Sequence, residues 1–168
     1  HREALRALRG LKLPARRPAL EGIIAWMRQG DHSVRAAAVG ALAEVVEEDV
    51  EVALEALAER LEDTEPAVQQ RAIEVFPKLA SVNNVHALSA VAIRMQHSND
   101  SVRRVAQQAF LRVAGVESGL GNPSATGLVV DLLRQADHAV RLSAAAFLPE
   151  VAGVYTADAA SAVAWLLE

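Results

Sequence analysis

The chain has 168 residues, 52% of them hydrophobic and only 4% aromatic, and alanine alone fills 34 positions. Alanine is the strongest helix former, so this mixture favours closely packed helices over a β-fold and excludes collagen, disulfide scaffolds, coiled coil and disordered chain. The net charge of −4 conceals +5 over residues 1–35, −9 over 36–75 and balance over 76–168; no basic face runs along the chain, which disfavours nucleic acid as a partner.

In chain order, residues 1–29 carry Ala4, Leu8 and Leu11 at helical spacing and then a second apolar set, Leu20, Ile23, Ile24 and Met27. Asp31-His-Ser-Val34-Arg35 opens the next helix, with Ala38, Leu42 and Val45 at four, eight and eleven residues after Val34. At about 100° per residue these offsets share one arc of about 80°, a single apolar stripe. The second helix of that unit follows with Leu54, Leu57, Ala58 and Leu61.

The same columns then return. Val68, Ala72, Phe76 and Leu79 precede Leu88, Val91, Ala92 and Met95; Val102, Ala106, Phe110 and Val113 precede Thr126, Val129, Val130 and Leu133; Val140, Ala144, Leu148 and Val151 precede Ala160, Val163, Ala164 and Leu167. Successive valines are 34, 34 and 38 residues apart. The longer step comes from four extra residues within 117–123, an extended loop in which Asn122 is suited to N-cap a helix and Pro123 to its first turn. A fixed period of this size is the mark of a repeat array. The boundaries read as a partial repeat at 1–29 and complete ones at about 30–62, 63–97, 98–135 and 136–168.

Three further columns carry chemistry. Asp31, Glu65, Asn99 and Asp137, each three residues before a valine, are placed to cap the helix. The small residue at Ala38, Ala72, Ala106 and Ala144 marks a close approach of a neighbouring helix. Pro18, Pro66 and Pro123 suit first turns, whereas Pro77 and Pro149 fall nine residues after the valine, inside a helix, where each removes a backbone hydrogen bond.

Paired helices with an Asp-x-x-Val-Arg opening, an alanine four residues later and an occasional mid-helix proline resemble HEAT repeats, which grade into armadillo repeats. The resemblance covers essentially the whole chain and implies an all-α, right-handed α-solenoid of antiparallel helix pairs, four complete repeats plus a partial N-terminal one, as a single array over 1–168. It also implies a ladder of loop acids and arginines, mapped onto Asp31, Asp63, Glu65, Asp137, Arg35, Arg103 and Arg141, with Asn99 as a neutral member. Gln69 stands where the pattern expects arginine, and the acid five residues before the valine occurs only as Asp63, so the ladder is expected to be incomplete at the second unit.

Catalytic signals are weak. With no cysteine there is no thiolate ligand, nucleophile or disulfide framework. His32 and His138 share a column but lie three repeats apart, too far to ligate one ion. The His-Glu motifs of HEAT-like deoxyhypusine hydroxylases are missing. Gly119-Leu-Gly121 lacks the preceding strand of a dinucleotide site. Glu47, Glu48 and Asp49 read as solvated loop acids. No cofactor or metal is expected, and neither a run long enough to span a membrane nor a signal peptide is present.

The expected function is therefore a non-catalytic, intracellular interaction scaffold or assembly subunit of a larger complex. A partner protein would lie along the surface lined by the second helices. Relative to the buried stripe, Glu59, Ile93, Asp131 and Trp165 share a column on the opposite face; Trp26, Arg60 and Arg94 lie on its flank; Gly22, Ala56, Ala90, Leu128 and Ala162 form an outward column of mostly small residues. These give Trp26, Glu59, Arg60, Ile93, Arg94, Asp131 and Trp165 as candidate partner-binding residues. The alternative is a HEAT-like lyase or carrier handling a pigment or other small molecule, which needs a deep pocket with convergent polar groups. Since neither end reads as a polar cap, further repeats or another subunit are expected to continue the stack.

Overall fold

The computed structural model describes residues 13–46 (side chains from 17), 50–116 and 121–153. Among these residues the chain is helical without strands: α1 (Leu13–Arg28), α2 (His32–Val45), α3 (Val50–Glu59), α4 (Pro66–Leu79), α5 (Val85–Arg94), α6 (Asp100–Ala114), α7 (Pro123–Leu132) and α8 (His138–Ala152). A 3₁₀ turn, Arg60–Glu62, extends α3. The chain divides into two compact units, His1–Ala80 and Ser81–Glu168. In the first, α2 packs between α1 and α4, and α3 lies on α1 and α4. In the second, α6 packs on α5 and α8 on α7, while α5 meets α7 and α6 meets α8. Each unit is thus two layers deep, with α2 and α4, or α6 and α8, side by side in one layer and second helices in the other. Columns Ala4, Leu8 and Leu11, and those from Ala160 on, lie outside the described residues, as do Glu47, Glu48 and Asp49.

The periodic columns form the core. Ala38, Ala72, Ala106 and Ala144 are all buried, as are Leu42, Phe76, Phe110 and Leu148 eight residues after each valine. Val68, Val102 and Val140 are buried too, whereas Val34 is 45% exposed and Leu79 only half-buried. On the second helices Leu20, Ile23, Met27, Leu54, Leu57, Leu61, Leu88, Val91 and Met95 are at most 5% exposed. Phe110 and Phe147 meet edge to face, ring centroids 6.1 Å apart, a favoured aromatic geometry.

Three of the four expected caps close as the sequence implies. Asp31 accepts from Ser33 N–H, Asn99 from Ser101 N–H, and Asp137 from Ala139 and Val140 N–H. Glu65 occupies the fourth cap position without a side-chain bond. Asp63 substitutes by accepting from Glu65 N–H at 3.0 Å, and Pro66 at the first turn has no N–H to satisfy. Pro77 and Pro149 do lie inside α4 and α8. Pro18 does not open a helix: α1 already runs from Leu13, and Pro18 sits within it. Placed so early in α1, the proline removes one bond, that to the carbonyl of Pro14.

Candidate functional site

The residue after each valine has a common task. Arg35 donates to Gly30 O, Gln69 to Asp63 O, Arg103 to His97 O and Ser98 O, and Arg141 to Gln135 O and Ala136 O, all at 2.7–2.9 Å. Each side chain reaches back five or six residues and ties the preceding loop to its own helix. The expected acid–arginine ladder is thereby corrected. Among the described residues its one inter-repeat rung is Arg35 on Asp63, with Nε and Nη2 both at 2.8 Å from the carboxylate. Asp31 and Asp137 serve as caps, and Arg103 pairs with Asp100 three residues before it. The reason is compositional: where the first unit has Asp63, the second has His97 and Gln135, neither of them a carboxylate. Burial alone would raise the Asp63 carboxyl, but the Arg35 hydrogen bond, the Glu65 N–H and the charges of Arg35 and Arg60 together hold it below the usual value.

On the second-helix side the candidates separate into two groups. Ile93 is 56% exposed, Asp131 is exposed and pairs with Arg134 at 2.9 Å, and half-buried Glu59 belongs to the same column. Glu59 is engaged, however. Arg28 grips it with Nε at 3.2 Å and Nη2 at 3.0 Å, and this hydrogen bond, reinforced by the carboxylate's charge, raises the Arg28 pKa. In the first unit the flank position faces a neighbouring second helix: Arg60, half-buried, donates to Met27 O on α1 and to Glu59, and its Nε is buried without a partner. Arg94, also half-buried, reaches Ala90 O. Trp26 is 60% exposed on the corresponding side of α1. Trp165 lies outside the described residues.

The outward column of small residues is a misreading. Ala56 and Ala90 are 4% and 1% exposed, and Gly22 and Leu128 are half-buried; Ala162 lies outside the described residues. A second helix in a stack touches its own layer as well as the first-helix layer. On α3 the buried residues Ala53, Leu54, Ala56, Leu57 and Ala58 therefore cover an arc of about 200°, twice that of a helix resting on a single neighbour. What remains outward is, in the first unit, Glu55 and Glu59 on α3 with Glu62 on the following 3₁₀ turn, and, in the second unit, His86 and Ile93 on α5.

Sequence reasoning missed the Arg28–Glu59 pair, although its signal is visible. Opposite charges 31 residues apart are one repeat minus three, and Arg35 and Asp63, 28 apart, are one repeat minus six. Both offsets place side chains face to face on successive repeats.

Two-layered stacking of periodic helix pairs, loops tied by a recurring donor and small residues at the close approaches define an α-helical repeat protein of the solenoid class. The chain belongs to the HEAT-repeat family: the family model for HEAT repeats matches residues 20–111, more than half of the sequence. Among solved structures, the crystal structure of an engineered protein is similar at 25% identity with a TM-score of 0.44, covering 89% of this chain and 73% of its own. No curated protein matches. Among the described residues no helix is long and apolar enough to cross a membrane, and no group of three or more potential metal ligands is assembled.

Proposed function

We propose that this chain is a non-catalytic protein-interaction scaffold or assembly subunit that binds a partner protein along the outward strip of its second helices. The supporting observation is Ile93. It is a large aliphatic side chain, 56% exposed in the last turn of α5, on a helix whose other apolar residues between 87 and 92 are buried. Isolated exposed aliphatics are common, but this one lies on the strip that stacking leaves open, with His86 exposed on the same strip. Trp26 supports the reading less: it stands in the Arg60 column, and in α3 that side faces the preceding second helix rather than outward.

Ile93→Asp tests it. At this exposure the change is expected to alter stability by no more than about 0.5 kcal/mol. Affinity capture with wild-type and Ile93→Asp chains in parallel should then show proteins retained by the first and lost by the second, with identical circular dichroism and melting. Identical capture profiles would refute the assignment of this strip.

A further inference from the structure

Arg35 and Arg103 stand in one column, directly after the repeat's valine, yet only one of them has its full set of partners. Arg35 donates to the loop carbonyl Gly30 O with Nη1 and grips Asp63 of the next loop with Nε and Nη2, all at 2.8 Å. Arg103 likewise spends Nη1 on loop carbonyls, those of His97 and Ser98, at 2.9 Å. The position that Asp63 holds in the first unit is, one repeat beyond Arg103, Gln135 in the loop between α7 and α8. No carboxylate arrives from that loop. Nη2 turns to Asp100 on its own helix at 2.9 Å, and Nε is buried without a partner, on a residue only 5% exposed. A buried donor without an acceptor weighs against the fold, and this one belongs to a guanidinium that borders an open groove.

In the first unit the trough between α2 and α4 is filled, since a Cβ on Gly40 would come 2.8 Å from Nη2 of Arg71. Between α6 and α8 a groove of about 440 Å³ remains, bordered by Arg103 and Arg104 on one side and by Leu142 and Phe147 on the other. We propose that the Arg103 end of this groove takes the carboxylate of an aspartate or glutamate side chain from a partner polypeptide, supplying in trans what Asp63 supplies to Arg35. The charge fits. Asp100 divides its two oxygens between Arg103 and Arg104, so this end keeps a net positive charge. The groove's other carboxylate is remote: Gln107 bonds Ser143, which sets Arg103 level with Ala139, and Glu150 lies about 16 Å further along α8. A guanidinium takes a carboxylate through two parallel N–H bonds, the arrangement that Arg35 displays. Leu142, 58% exposed, offers an apolar surface to a residue beside the acid. This site is on the first-helix layer and is independent of the Ile93 strip.

The test is a titration of the ¹⁵N-labelled full chain with acetyl-aspartyl-leucine methylamide. Beside it run the asparaginyl counterpart, which keeps the shape without the charge, and sodium acetate, a carboxylate without a peptide. The aspartyl probe should shift the Arg103 Nε–H resonance saturably, with a dissociation constant in the millimolar range that rises with salt, and acetate should bind severalfold more weakly. Gln135→Asp, which puts at position 135 the acid that the first unit has at 63, should raise the urea midpoint, shift the same resonance without the probe, and abolish the probe's effect. Arg104→Gln, an exposed substitution, should weaken the probe severalfold. Equal response to the asparaginyl probe, acetate binding as tightly as the peptide, or undiminished probe binding by either variant would each overturn the proposal. The Ile93→Asp chain should bind the probe as wild type does, so failure of one proposal is distinguishable from failure of the other.

Discussion

Asn122 is the cap on which the second unit depends most, and truncating it to alanine isolates why. It is 3% exposed. Its Oδ1 accepts from Ala125 N–H at 3.1 Å, capping α7, while its Nδ2 donates to Ala114 O at 2.8 Å and to Asn83 Oδ1. Loss of an N-cap costs about 1 kcal/mol. Stripping a buried carbonyl of its donor adds about 1–3 kcal/mol, so Asn122→Ala should cost about 2–4 kcal/mol. Asn99 is the internal control: an exposed asparagine capping α6 through Ser101 N–H alone, whose replacement by alanine should cost about 1 kcal/mol or less. Asn122→Asp keeps the cap acceptor but sets an anionic oxygen against two other acceptors, and should be at least as damaging as alanine at neutral pH. Urea unfolding followed by far-UV circular dichroism measures all three, since a slope of about 1–3 kcal/mol per molar turns the predicted loss into a large shift of midpoint. If Asn122→Ala costs no more than Asn99→Ala, the buried carbonyl is not held as described and the reasoning is refuted.

Two other outcomes follow from the first unit. Gly40→Ala should gain about 1 kcal/mol of helix propensity and forfeit about 0.3–0.5 kcal/mol as the methyl displaces Arg71 from its exposed pairing with Glu74; the net is a small stabilisation that rises towards the full gain when Arg71 is alanine as well, a coupling that a double-mutant cycle in urea reads directly. The carboxyl of Asp63 is held below its unfolded value, so its contribution to stability is complete above the ordinary aspartate pKa of about 3.9 and disappears as pH falls through the lower, folded value. Wild type should therefore lose stability below about pH 4 more steeply than Asp63→Asn, and parallel acid-unfolding curves would contradict the Arg35–Asp63 rung.

The core was legible because burial imposes a period. Ala72 and Phe76 repeat in Ala106 and Phe110 since every repeat meets the same neighbours, and the caps at Asp31, Asn99 and Asp137 were legible because a helix start needs a local acceptor. The outward face was only partly so. Treating α3 as a helix resting on one surface put Ala56 and Ala90 outside, whereas stacking within the layer buries them; that extra contact comes from the next repeat and leaves no mark within one helix. Ile93 and Asp131 survive as exposed because they lie opposite both contacts. The charged residues were the hardest to read. Arg60 and Glu59 looked like surface groups available to a partner, but Arg28 and Met27 on the preceding second helix engage them, and only the inter-repeat offset reveals it.

Gln69 shows how the repeat is specified. In the arginine column it looks like a defect, yet its amide makes the bond to the carbonyl six residues back that Arg103 and Arg141 make to theirs. The column therefore requires a donor of sufficient length rather than a charge, and among the described residues the charge reaches the next repeat only at Arg35, where the following loop presents Asp63. Loop ties and caps are internal to each repeat, so they hold whatever the neighbouring repeat contributes. Stacking itself rests on apolar columns, which leaves positions on the first-helix layer such as 71 and 143 unconstrained by the fold. Arginine over Gly40 fills the trough between α2 and α4, whereas Ser143, bonded to Gln107, leaves a groove of about 440 Å³ between α6 and α8. A repeat built this way can alter one groove without disturbing its period, which is why the α6–α8 groove is distinct from its counterpart in the first unit.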